Sequence, residues 1–155
     1  MRTFPDPPIP LAVELRRSFR APAERVFRAW TQPAALREWW CPPGWAATAV
    51  EIDLRVGGAY SIAMRRTDGP GAVAVRGRFI EIRPPERLVF TWRWEGAFPD
   101  SPEAKVVIEL RHAAGITELM LRHEQFADDG MRHLHWSGWL AACGRLDRLL
   151  EEAAG

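Results

Sequence analysis

The sequence predicts an α+β domain in which a seven-stranded antiparallel sheet is covered by one long C-terminal helix. Three observations carry this. Apolar residues at Trp136, Trp139, Leu140, Cys143, Leu146, Leu149 and Leu150 recur mostly at steps of three and four, so they form one broad stripe on a helix from about Met131 to Ala153. Upstream, seven stretches alternate apolar and polar residues, as half-buried strands do, and short turns join most of them. Two short helical stretches separate the first of these strands from the other six. A helix of about 23 residues is about 35 Å long, enough to cross a small domain, and the sheet is the surface that can receive it.

Met1 to Pro10 contains four prolines and reads as an extended lead-in. Leu11 to Phe19 alternates, with Leu11, Val13, Leu15, Arg17 and Phe19 on one face. Ala21-Pro22 opens a helix, proline being tolerated in a first turn. Val26, Phe27 and Trp30 form its apolar face, and Pro33 ends it. A second short helix runs to Trp39 and enters a rigid aromatic loop, Trp39-Trp40-Cys41-Pro42-Pro43-Gly44-Trp45. Strands follow over Ala46–Leu54, Ala59–Arg66, Ala72–Arg83, Arg87–Glu95, Ala104–His112 and Ile116–Gln125. Gly57-Gly58, Asp68-Gly69-Pro70-Gly71, Pro84-Pro85 and Ala114-Gly115 mark the turns between them. Asp128-Asp129-Gly130 places an aspartate to cap the last helix.

The bulk properties narrow the functional classes. A chain of 155 residues is one domain, here 11–153 after the lead-in, and can bury a core without metals or disulfides. The formal net charge of +1 implies no pull toward nucleic acid or an anionic membrane. The chain has no run of apolar residues long enough to span a bilayer, and the N-terminal prolines sit where a signal peptide needs an apolar run, so a cytoplasmic protein is expected. Its basic residues are twenty arginines and the single Lys105, a skew expected of a GC-rich bacterial genome. Cys41 and Cys143 have no metal-binding spacing and read as free thiols. Eight tryptophans are the compositional oddity that needs a role.

Four stretches carry a family resemblance. They are Phe19-Arg20-Ala21-Pro22 with Val26 to Thr31; Trp39-Trp40 with Pro43-Gly44; Asp53 to Gly58; and Pro84 to Trp92. His135, Gly138, Trp139 and Leu146 extend it into the last helix. With these residues the chain resembles the START-like, or SRPBCC, helix-grip superfamily, in the branch named after the C-terminal domain of the heat-shock-protein ATPase activator. The likeness runs from about Leu11 to Leu150. It implies a sheet gripping the C-terminal helix, with an elongated apolar cavity between them. Such cavities suit lipid-like or aromatic small molecules.

The tryptophans can therefore either line a cavity or fill it. Strand alternation and the helical stripe assign a ligand-binding set. From the strands it takes Tyr60, Met64, Phe79, Phe90, Trp92, Trp94 and Leu119; from the C-terminal helix it takes Trp136 and Trp139. His123 and His135 are its expected polar points, and Trp39, Trp40 and Trp45 form an expected gating loop. A one-residue slip would turn a whole strand over. His133 and His135 diverge on a helix and cannot share one metal ion, so neither a metal nor a cofactor is expected. Glu51 and Asp53 share a strand face that reads as solvated, and the strand arginines read as a salt-bridged outer face. No serine stands in a nucleophile-elbow setting. Cys143 reads as an inert core thiol, and Cys41 as the more exposed of the two cysteines.

The residues thus favour a binding domain for a hydrophobic small molecule and weigh against an enzyme, since they present no catalytic constellation. Two alternatives stand beside this reading. One is a chaperone co-regulator acting through a protein surface, as the resemblance implies. The other is a cyclase- or hydrolase-like enzyme using the same cavity. Exposed edge strands leave room for a homodimer.

Overall fold

The computed structural model describes residues 11–126 and 128–154. The expected lead-in, 1–10, lies outside them. The element order is β1 (Leu11–Phe19), α1 (Ala23–Thr31), α2 (Pro33–Trp39), β2 (Trp45–Ile52), β3 (Ala59–Arg66), β4 (Ala72–Arg83), β5 (Arg87–Glu95), β6 (Ala104–Ala113), β7 (Ile116–Phe126) and α3 (Asp129–Ala154). This is the predicted α+β helix-grip architecture. The strands form one seven-stranded antiparallel sheet in the order β1-β7-β6-β5-β4-β3-β2. From β2 to β7 each strand pairs with the next in sequence, which short turns allow. The chain from β1 to β2 instead crosses between the sheet's two edges, and α1 and α2 make that crossing.

Alternation sets which side chains face the helix. Tyr60, Ile62 and Met64 of β3, Leu88, Phe90 and Trp92 of β5, and Val106, Ile108 and Leu110 of β6 are all buried. Two irregularities adjust the pattern. A bulge between Ala47 and Ala49 lets both Trp45 and Val50 point inward along β2, and another between Phe79 and Glu81 leaves Ile80 exposed. Gly77 marks a close crossing: Tyr60 reaches over it to donate its hydroxyl hydrogen to the Thr91 carbonyl at 2.5 Å. A Cβ at Gly77 would stand 2.0 Å from that carbonyl oxygen and 2.6 Å from the Tyr60 ring, so only glycine fits.

The last helix lies across β1 and packs on α2. Its buried residues, His135, Trp139, Ala142, Cys143, Leu146 and Leu150, follow steps of three and four. Asp128 caps it, accepting the Met131 backbone N–H at 2.8 Å. Polar groups anchor the rest of its length. Arg17, on the inward face of β1, pairs with Asp147 at 3.6 Å. Arg25 of α1 donates to the Leu150 carbonyl. Arg145 donates to the Trp39 carbonyl at 3.0 Å and to that of Cys41, tying the α2–β2 loop to the helix.

On the outer face Arg76 pairs with Glu95 at 2.8 Å, and Arg122 pairs with Glu124 at 2.8 Å and with Glu14. Glu109 takes Arg87, at 2.9 Å, as its partner. Among the described residues no helix is long and apolar enough to cross a membrane.

Candidate functional site: an aromatic cavity under the C-terminal helix

A cavity of about 510 Å³ lies between the sheet and the N-terminal half of α3. Trp40, Pro42, Pro43 and Trp45 form one side. Met64, Val73, Trp92 and Trp94 form the sheet floor, and Ala97 and Phe98 of the β5–β6 loop form one end. The roof is α3 from Leu134 to Ala142. Pro43, Phe98, Leu134 and Ser137 are exposed as well as lining, so they mark the mouth. The space exists because the helix carries Gly138, Ala141 and Ala142 where it faces the floor. A Cβ added at Gly138 would meet no other atom within 4 Å.

Two histidines hold the aromatic walls in place. Trp94 donates its indole N–H to His135 Nε2 at 2.9 Å. His135 Nδ1 stands 2.7 Å from the Met131 carbonyl and must be the donor there, so the neutral imidazole carries its proton on Nδ1. Trp139 donates to His123 Nδ1 at 3.0 Å, which leaves the His123 proton on Nε2. Burial holds the pKa of both imidazoles down, that of His123 strongly, and each stays neutral. The two rings are 5.2 Å apart, and the Trp92 ring lies 4.7 Å from His123 and 5.5 Å from Trp139. Two of the lining indoles, Trp94 and Trp139, thus point their N–H groups at imidazole nitrogens, while the Trp92 N–H is buried without a partner.

The structure sorts the expected site residues into groups. Met64, Trp92, Trp94, His135 and Trp139 line the cavity, as do Trp40 and Trp45 of the expected gating loop. Tyr60, Phe79 and Phe90 do not. They stack on one another with centroids 5.4–6.3 Å apart, around a separate space of about 20 Å³. Leu119 and His123 are fully buried in the core, and His123 acts on the cavity from behind, through its bond from Trp139 and its packing on Trp92. Trp39 ends α2, wholly buried, and donates to the Ala29 carbonyl at 2.9 Å, so it is core and not loop.

Trp136 stands outside the cavity, 39% exposed and stacked on His133. At about 100° per residue it lies on the shoulder of the stripe, whose centre runs through His135, Trp139 and Ala142. Cys41 is the more exposed of the two cysteines, as expected, yet it too is buried, and burial raises its pKa against the nearby Arg145. Cys143 is pushed up to about 11 by burial and is an unreactive thiol at neutral pH. Sequence reasoning missed Phe98, Leu134 and Ser137. The small residues Gly138, Ala141 and Ala142, on a helix otherwise lined with bulky ones, were the signal that could have found the space.

Among the described residues the wall carries no charged side chain. Its one imidazole has both nitrogens engaged, and its one hydroxyl, on Ser137, lies at the mouth. Such a surface can hold an apolar molecule by contact and stacking.

Fold and cavity together define a helix-grip protein of the START-like kind. The profile of the family described as activator of Hsp90 ATPase homolog 1-like proteins matches residues 20–151, and the chain belongs to that family. Solved structures agree along nearly the whole chain. Protein CV1439 from Chromobacterium violaceum is 31% identical, with a TM-score of 0.84 over 91% of this chain and 97% of its own. The AHSA1 (SPO3351) protein from Silicibacter pomeroyi is 27% identical, with a TM-score of 0.79 over 92% of this chain and 99% of its own. Protein NE0264 from Nitrosomonas europaea is 26% identical, with a TM-score of 0.77 over 93% and 96%. No curated protein matches the chain significantly.

Proposed function

We propose that this protein binds an apolar, aromatic small molecule in the cavity beneath the N-terminal half of α3. One observation carries the reading: five of the eight tryptophans, Trp40, Trp45, Trp92, Trp94 and Trp139, surround a space of about 510 Å³ without filling it. That volume lies within the range of pockets that take drug-sized ligands. The tryptophans also supply the readout. Fluorescence titrations with sterols, flavonoids, fatty acids and polycyclic aromatics are expected to give saturable quenching for at least one class.

Gly138→Leu is the decisive variant. It places a side chain into the space while relieving a helix-interior glycine that costs about 1 kcal/mol relative to alanine. The variant is expected to melt no lower than the parent and to lose binding. Equal binding by parent and variant would place the ligand elsewhere, and no binding of any class would sink the proposal.

The family's description supports a second reading, a chaperone-directed role through a protein surface. Its test is a pull-down against Hsp90-type chaperones. Near one-to-one recovery, undiminished in Gly138→Leu, would favour it over the cavity.

A further inference from the structure

We infer that the cavity selects an uncharged ring ligand and places the ligand's one polar group at the mouth, beside Ser137. This rests on the binding function proposed above and narrows it to a chemical class. A ligand's polar atoms would meet few partners in this cavity. Trp40, Trp45, Trp92, Trp94, Phe98 and Trp139 offer aromatic rings. Trp94 and Trp139 already spend their N–H groups on His135 and His123, and the Trp92 N–H, though it has no partner, is buried out of a ligand's reach.

Among the described residues His135 is the only imidazole on the wall, and it has no free nitrogen, since Nε2 accepts from Trp94 and Nδ1 donates to the Met131 carbonyl. The helical backbone of the roof is internally bonded. The flanking cations are committed as well. Arg145 spends its guanidinium on the carbonyls of Trp39 and Cys41, behind the loop. Arg66 lies over the Trp45 ring at 5.7 Å, paired with Asp68 at 3.1 Å.

A carboxylate or ammonium carried into this space would lose its hydration and gain no counter-charge, which is strongly unfavourable. Ring faces could attract a cation. With no carboxylate on the wall among the described residues, however, that attraction would have to offset the whole desolvation cost. Among the described residues the wall's one side-chain hydroxyl, on Ser137, is exposed at the rim. A ligand with a single hydroxyl or carbonyl group therefore keeps it there, in reach of both Ser137 and water, and stacks its rings inside.

The experiment uses one skeleton and changes only the charge. Fluorene-9-methanol, 9-fluorenecarboxylate and 9-fluorenylmethylammonium are titrated into the full chain at pH 7.5, with 9-methylfluorene as the apolar reference. The alcohol is expected to bind more than about tenfold tighter than either ion. It should also bind about threefold tighter than 9-methylfluorene, and that margin should vanish in Ser137→Ala. Ser137 is exposed and its replacement is expected to leave the fold intact, so the comparison does not depend on a damaged core.

Either ion binding within about threefold of the alcohol would overturn charge exclusion. An alcohol preference that survives Ser137→Ala would overturn the placement of the polar group. If none of the four compounds binds while another ligand class still quenches the tryptophans, the inference falls and the binding function stands; if no class binds, both fall.

Discussion

His123 and His135 are the residues on which the site turns, because each accepts an indole N–H that fixes a wall. They can accept only while neutral. Burial keeps them so in the fold, while in the unfolded chain they titrate near 6.5. The unfolded chain therefore takes up more protons as pH falls below about 6.5. Stability is full above that value and declines progressively toward the depressed folded-state values. The denaturation midpoint is expected to fall between pH 7.5 and 5, above the range in which carboxylates titrate. A double replacement, His123→Asn with His135→Gln, should flatten that slope while lowering stability throughout. An unchanged slope would show that the two imidazoles are not buried and neutral.

Trp136 and Trp139 make a second test at this scale. Trp139→Ala empties a buried site and should cost about 3–5 kcal/mol. Trp136→Ala changes a half-open shoulder and should stay within about 0.5 kcal/mol. Urea denaturation of the two variants is the measurement, and equal losses would refute the placement of the stripe.

Among the elements, α3 does two jobs. Its second half, from Cys143 to Leu150, is anchored by apolar packing and by Arg17, Arg25 and Arg145. Its first half roofs the cavity and rests on less: the Asp128 cap, the His135–Trp94 bond and Trp139. Asp128→Ala is expected to cost about 1 kcal/mol and to act locally. Amide hydrogen exchange should speed up over Met131 to Ser137 and stay unchanged beyond Cys143. Uniform acceleration along the helix would mean that α3 opens as one unit. Because Leu134 and Ser137 lie in the frayed stretch, ligand affinity should weaken with it.

On the scale of the whole molecule, a cavity under the longest helix couples ligand to stability. A ligand present at about a hundred times its Kd should stabilise the fold by about 2.7 kcal/mol. For a domain of this size that is a rise in Tm of several degrees, at about 2–4 °C per kcal/mol. The rise should be absent in Gly138→Leu. A rise of the same size in that variant would locate binding outside the cavity.

The architecture was legible in the sequence because it is written in local periods. Strand alternation from Ala59 to Glu95 and the three-and-four spacing from Trp139 to Leu150 each specify an element and its buried face. Hairpin-length turns then dictate the antiparallel order, and even the capping aspartate could be read from its place before the helix. The wall of the cavity was legible only in part. Met64, Trp92, Trp94 and Trp139 follow from alternation and stripe. Tyr60, Phe79 and Phe90 obey the same rules yet belong to a packed cluster beside the cavity.

Lining and filling were told apart only by the packing of helix on sheet. That choice depends on what stands opposite each side chain, and so on how the helix lies across the twisted sheet. It put Gly138, Ala141 and Ala142 over Trp92 and Trp94, turned Trp136 aside, and set His123 and His135 against indoles far away in the chain. Periodicity assigns a residue to a face. Whether that face meets another side chain or open space is a property of two elements together, and no single stretch of sequence contains it.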